Sequence, residues 1–157
     1  MSNSSSNPSP ELVINRTFRA PRELVWQAWA DPKLMIKWMG PKHHPANHYE
    51  NDFRPGGAWR SCLVATDGSE KLWLSGHYHE MIEPERLVFT FAWDNHPDGS
   101  KNEMLVTLTL AEEGTNTRMT LRQTRFTSVE QRDDHGQGWS SSIDRLEELL
   151  VSSRAEP

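Results

Sequence analysis

The chain has 157 residues and a net charge of −5, with a pI near 5.8. That length suits one domain burying about 68–70% of its unfolded surface. The charge balance, with no dense Lys/Arg run, excludes nucleic acid as an expected partner, and no apolar run reaches the roughly 18–20 residues of a membrane span.

Residues 1–10, Met1-Ser-Asn-Ser-Ser-Ser-Asn-Pro-Ser-Pro10, have neither a basic start nor an apolar stretch, so they read as a disordered polar tail and not a secretory signal. The expected domain runs over 11–152, with a C-terminal tail at 153–157. Cys62 is the sole cysteine and cannot form an internal disulfide, which fits a reducing compartment and a cytoplasmic protein.

Glu11 to Arg19 alternates, with Leu12, Ile14 and Phe18 on one face, and predicts a strand. Pro21 sits where a helix begins, and Leu24, Val25, Ala28 and Trp29 form its short face, with Trp26 beside it. Asp31-Pro32 restarts a second short helix that ends by Gly40-Pro41. Strands are then predicted over Asn47–Phe53, Ala58–Thr66, Leu72–Ile82, Leu87–Trp93, Met104–Leu110 and Thr117–Thr124. Turn signals at Asp67-Gly68, Glu83-Pro84 and Glu113-Gly-Thr-Asn116 separate several of them, and Asp94–Asn102 reads as a polar loop. Ser128-Val-Glu-Gln131 has the form of a capping box for a last helix. In that helix His135, Trp139, Ile143, Leu146 and Leu150 share one stripe.

Short links between consecutive strands imply antiparallel pairing, and the polar half of each strand implies one solvated face. The one long apolar stripe able to cover the other face is that of the last helix. A helix of about 24 residues spans roughly 36 Å, and strands of nine to eleven residues span a similar length. The predicted fold is therefore α+β, a twisted antiparallel sheet of about seven strands wrapped around a long C-terminal helix, with two short helices after the first strand.

Several stretches then fall into a known order: Phe18-Arg-Ala-Pro21, Val25-Trp-Gln-Ala-Trp-Ala-Asp-Pro32, Trp38-Met-Gly-Pro41, Arg54-Pro-Gly-Gly57, Gly76-His-Tyr-His-Glu80, Pro84-Glu-Arg-Leu-Val-Phe-Thr90 and Gly138-Trp-Ser-Ser-Ser-Ile-Asp-Arg-Leu146. Together they resemble the family of homologues of the activator of heat-shock-protein-90 ATPase, within the START-like (birch-pollen-allergen-like, SRPBCC) superfamily. The resemblance implies a helix-grip fold, often with an internal cavity. It also implies a co-chaperone or stress-response role as one alternative. It supplies no shared catalytic constellation.

Alternation places Trp59, Tyr78, Phe89, Phe91, Trp93, Val106, Leu108, Met119, Leu121 and Gln123 toward the last helix, where Trp139 and Ile143 face them. Gln123 is the odd member, because an amide on an apolar face needs a partner: Tyr78, a Trp N–H or a ligand. Apolar walls with a few convergent polar groups describe a small-molecule pocket; a filled core with a satisfied amide is the bland alternative. The expected cavity wall is Trp38, Met39, Trp59, Tyr78, Phe91, Trp93, Met119, Gln123, His135 and Trp139, holding a small apolar or amphipathic ligand. The two short helices and the Asp67-Gly68 hairpin would frame its mouth.

His77 and His79 share a strand face, but no cysteine pair or HExxH helix completes a metal site, so neither metal nor cofactor is expected. Glu80 on an inward face would need Arg60 or Arg54 as partner; unpaired, it could act as a general base in a cyclase or isomerase, as could His135. A non-catalytic role is the preferred expectation. An exposed Trp26 would point to a homodimer.

Overall fold

The computed structural model describes residues 10–94 and 103–155, with side chains as far as Ser152. The polar tail expected at 1–10 falls almost wholly outside the described residues, as does most of the loop expected at Asp94–Asn102, including His96.

The elements are β1 (Leu12–Phe18), α1 (Arg22–Ala30), α2 (Pro32–Trp38), β2 (Ala46–Asn51), β3 (Ala58–Val64), β4 (Lys71–Ile82), β5 (Arg86–Trp93), β6 (Met104–Glu113), β7 (Asn116–Thr124) and α3 (Val129–Ala155). All seven strands form one antiparallel sheet in the order β1-β7-β6-β5-β4-β3-β2. Every pair except β1–β7 follows chain order. The first strand closes the edge beside the last one, which delivers the chain to α3 against the inner face. This is the helix-grip arrangement.

Local chemistry explains the helix starts. Asp31 caps α2, its Oδ1 accepting from the Lys33 N–H at 2.9 Å, with Pro32 in the first turn. Pro21 stands one place earlier than expected, as the N-cap of α1 rather than its first helical residue. Ser128 Oγ accepts from the Gln131 N–H at 3.0 Å, while Gln131 Oε1 accepts from the Thr127 N–H at 2.8 Å. The reciprocal arm of the box thus reaches one residue further back than the pattern requires. Helix α3 is 27 residues long and runs on to Ala155, past the boundary expected at 152.

The core lies between sheet and helix. Leu74, Leu108, Met119 and Leu121 from the sheet and Ile143 and Leu146 from α3 are fully buried. Gly76 allows one close approach. It pairs with Trp59 across β3 and β4, and a Cβ there would collide with the Thr90 carbonyl and the Trp59 indole. The bare backbone lets that indole cross the strand and donate from Nε1 to Thr90 O at 3.1 Å.

The condition set for a dimer is not met, and one expectation fails. Trp26 is buried, 2% exposed, with Phe53 edge-on at 5.7 Å. Phe53, just after β2, covers the side of α1 that would otherwise face solvent, so the ground for a homodimer through Trp26 falls away. Glu80 is exposed, pairing with Arg86 at 2.7 Å. A bulge between Tyr78 and Glu80 sets His79 and Glu80 against the single residue Val88, and the inward face resumes at Met81. Arg60 and Arg54, the partners expected for Glu80, pair instead with Asp94 and Asp52.

Candidate functional site

The space between sheet and α3 is largely filled by the chain's own side chains. Two small voids stand out among the described residues. The outer one, about 50 Å³, is lined by Met39, Gly40, Pro41, Leu63, Phe91, His135, Gly138, Trp139 and Ser142. The inner one, about 10 Å³, is lined by Trp29, Met35, Met39, Tyr49, Trp59, Tyr78, Leu87, Phe89 and Trp139. Ligand pockets typically hold about 300–1,000 Å³, so no drug-sized molecule fits the conformation described. Met39 and Trp139 line both voids and separate them.

Six of the ten expected wall residues border these spaces: Met39, Trp59, Tyr78, Phe91, His135 and Trp139. The other four border neither void. Trp38 is fully buried and donates from Nε1 to Ala28 O at 2.9 Å. Met119 is fully buried in the core. Trp93 stands beside His135, its Nε1 donating to His135 Nε2 at 3.1 Å. Gln123 accepts from Trp139 Nε1 at 2.8 Å, and its own amide NH₂ points to the Met104 sulfur at 3.3 Å. Its amide is thus satisfied by the chain, through one of the three partners anticipated. The Asp67–Gly68 hairpin borders neither void; the mouth is framed by the segment after α2 and by Leu63.

The Gln123–Trp139 bond orients the indole that divides the two voids. Gln123→Leu keeps the volume but leaves Trp139 Nε1 bare, and is expected to cost about 1–3 kcal/mol. Trp139→Phe in the Gln123→Leu background should cost less than Trp139→Phe alone, which a double-mutant cycle in urea would measure.

Arg145 holds the frame of the mouth. Its Nη1 donates to Gly40 O at 2.7 Å and Met39 O at 3.1 Å, and its Nη2 to Lys37 O at 2.9 Å. Ser142 Oγ donates to Trp38 O at 2.9 Å, and Ser141 Oγ accepts from the Lys42 N–H at 2.9 Å. One face of α3 thereby ties down the exit of α2, carbonyl by carbonyl. Nothing local in the sequence discloses the backbone partners of Ser141 and Ser142.

His135 sits at the outer void, ringed by Phe126, Phe91 and Trp93 at centroid distances of 5.3, 5.4 and 5.8 Å. Burial among these rings lowers its pKa to about 4, against a small opposing effect of Asp134. It is neutral at pH 7, and its Nε2 is occupied by the Trp93 N–H. At the inner void the Tyr49 and Tyr78 hydroxyls lie 3.2 Å apart, and Asn51 Nδ2 donates to Tyr78 Oη at 3.1 Å. Burial raises both phenol pKa values, so both keep their protons. His77 and His79 are exposed, and no metal-binding group of three acidic, His or Cys side chains exists among the described residues.

The family model for Activator of Hsp90 ATPase homolog 1-like protein matches residues 19–151. The chain belongs to this family. No match was found among the curated proteins. Among solved structures, protein CV1439 of Chromobacterium violaceum is 26% identical, with 90% of this chain and 97% of that one covered at a TM-score of 0.80. Protein Ms6760 of Mycobacterium smegmatis is 29% identical over 89% and 90% of the two chains, with a TM-score of 0.72. The AHSA1 protein of Silicibacter pomeroyi is 24% identical over 92% and 99%, with a TM-score of 0.81, a likeness of fold. Membership of this family and fold supports, in general terms, a ligand-binding or co-chaperone type of domain. No helix among the described residues is long and apolar enough to cross a membrane.

Proposed function

We propose that this family member binds a small apolar or amphipathic molecule between sheet and α3, entering at the outer void. The observation that carries this reading is Gly138. A glycine inside a helix costs about 1 kcal/mol relative to alanine. Added at Gly138, a Cβ would meet nothing within 4 Å, yet the residue borders the outer void. Packing therefore does not require glycine there, whereas keeping the mouth open does. The apolar lining and the neutral His135 suit a ligand with little charge. Binding requires the partition of Met39 and Trp139 to yield, because the two voids are small as they stand.

Several features support a binding role over catalysis. Glu80 faces solvent outside the chamber, and His135 Nε2 is already engaged. The co-chaperone alternative would need a docking surface. The large exposed hydrophobics among the described residues are Val13, Ile82, Val129 and Val151, scattered over β1, the end of β4 and the two ends of α3. A cytoplasmic setting belongs to the same proposal, since Cys62 is buried and unpaired.

The test combines native mass spectrometry of freshly purified protein with a tryptophan-fluorescence screen of lipids and metabolites. Gly138→Ala should raise stability by up to about 1 kcal/mol, and Gly138→Leu should abolish binding without unfolding the chain. A ligand that binds Gly138→Leu as well as wild type, or a screen with no ligand at all, would overturn the proposal. Stimulation of the ninety-kilodalton chaperone's ATPase by the protein would favour the co-chaperone reading instead.

A further inference from the structure

Two buried side-chain nitrogens among the described residues have no hydrogen-bond partner, Arg22 Nε and Trp29 Nε1. The first belongs to a guanidinium whose Nη1 lies 3.5 Å from Glu85, so its charge is answered. The second has no such compensation. Trp29 is 2% exposed and borders the inner void. Its ring neighbours are Trp38 at 4.7 Å, Trp139 at 5.9 Å and Phe89 at 6.2 Å. The indoles of Trp38, Trp59, Trp93 and Trp139 each donate to an acceptor within the chain. An indole N–H can only donate, and a buried donor left bare in a native structure calls for an explanation such as a ligand.

The surroundings of the inner void narrow the ligand class. Trp59, Phe89 and Trp139 supply ring surfaces, which favour a planar molecule. The hydroxyls of Tyr49 and Tyr78 share one hydrogen bond and Tyr78 Oη accepts from Asn51 Nδ2, so one phenol proton is also unspent, but of these donor atoms Trp29 Nε1 alone has no hydrogen-bond partner at all. Met39 stands at the exit of α2, outside the helix proper, with extended backbone (φ −64°, ψ 135°). Its side chain is unbranched and adaptable, so a rotamer change is the simplest way to merge the two voids. We propose that the inner void is the polar end of the ligand site, where a planar molecule bearing a carbonyl-type acceptor takes a hydrogen bond from Trp29 Nε1–H after Met39 swings aside. This rests on the proposed binding role and adds to it the chemical class of the ligand and the atom that selects it.

The probes are 1-indanone and indane, bicyclic molecules of one shape that differ by the carbonyl. They are titrated into the full-length protein with its indole groups labelled with ¹⁵N. Wild type should bind 1-indanone about tenfold more tightly than indane, the ratio one neutral hydrogen bond supplies. The Trp29 Nε1–H resonance should move downfield with 1-indanone and not with indane. Trp29→Phe should lose the tenfold preference while still binding indane. Should that variant fail to fold, the wild-type resonance still decides.

Equal binding of both probes by wild type overturns the hydrogen bond and leaves the pocket standing. So does an Nε1–H resonance held upfield by the Trp38 ring and unmoved by bound 1-indanone, because the donor is then spent on that ring. Binding of neither probe overturns the pocket for molecules of this size, and the hydrogen bond with it.

Discussion

Replacing Arg145 with alanine is expected to destabilise the fold by about 2–4 kcal/mol, the largest effect of any partly exposed residue at the mouth. Three of its contacts are short, to carbonyls of Lys37, Met39 and Gly40 at the exit of α2. The Lys37 carbonyl is among the last of α2, has no partner further along the helix and carries the partial negative charge of its C-terminus, while those of Met39 and Gly40 lie just beyond it. The guanidinium spans several of them at once because its donors lie in a rigid fork. Arg145→Lys should therefore recover only part of the loss. Urea melts would measure the stability change. Limited trypsin digestion would show the local consequence, faster cleavage at Lys37 and Lys42 in the alanine variant. A melt within about 0.5 kcal/mol of wild type would mean that α3 does not hold this segment.

Acidification is expected to remove about 1–3 kcal/mol through His135 alone. Its folded pKa is lowered to about 4 from an ordinary value of 6.5. Between these two values the unfolded chain binds the proton and the folded chain does not, so stability falls as pH drops from about 6.5 to 4. It is fully present above that window and levels off below it. The structural event is the loss of the Trp93 Nε1–His135 Nε2 bond, since a protonated imidazole has no acceptor nitrogen. Carboxylates add their own acid sensitivity at the lower end, so the informative quantity is a difference. His135→Phe keeps the ring contacts and should melt with a shallower pH dependence than wild type over this window. Parallel curves for the two proteins would show that the imidazole is not held neutral by burial.

The elements and their order were legible because each depends on local pattern. Period-two alternation in Leu87–Trp93 and Thr117–Thr124 reflects a sheet with one covered face, and the stripe from His135 to Leu150 reflects the helix that covers it. Asp31-Pro32 and Ser128–Gln131 announced helix starts through capping chemistry that acts over three or four residues. Glu80 was misplaced because alternation assumes unbroken pairing. The bulge after Tyr78 depends on how β4 meets β5, and neither strand's own residues declare it. The cover over Trp26 is hidden from the sequence for a related reason: Phe53, which packs against it, lies 27 positions away.

The candidate site was legible only in outline. Gln123 was marked as an amide needing a partner, and its partner proved to be Trp139, already on the facing stripe. Tyr49, Met35 and Trp29 escaped notice at the inner void because they come from β2 and the two short helices, whose inward faces no simple period reveals. The grip of Arg145 on backbone carbonyls was also hidden, since any sequence offers carbonyls everywhere.

The sequence alone determined the antiparallel sheet, the covering helix and the aromatic character of the interior, because burying one face of each element needs only the right spacing of apolar residues. Tertiary structure decided how much space remains inside and which polar atoms go unpaired there. Volume and hydrogen-bond partners depend on where side chains from distant segments come to rest against one another, at a scale of one methyl group or less, and no spacing along the chain encodes that.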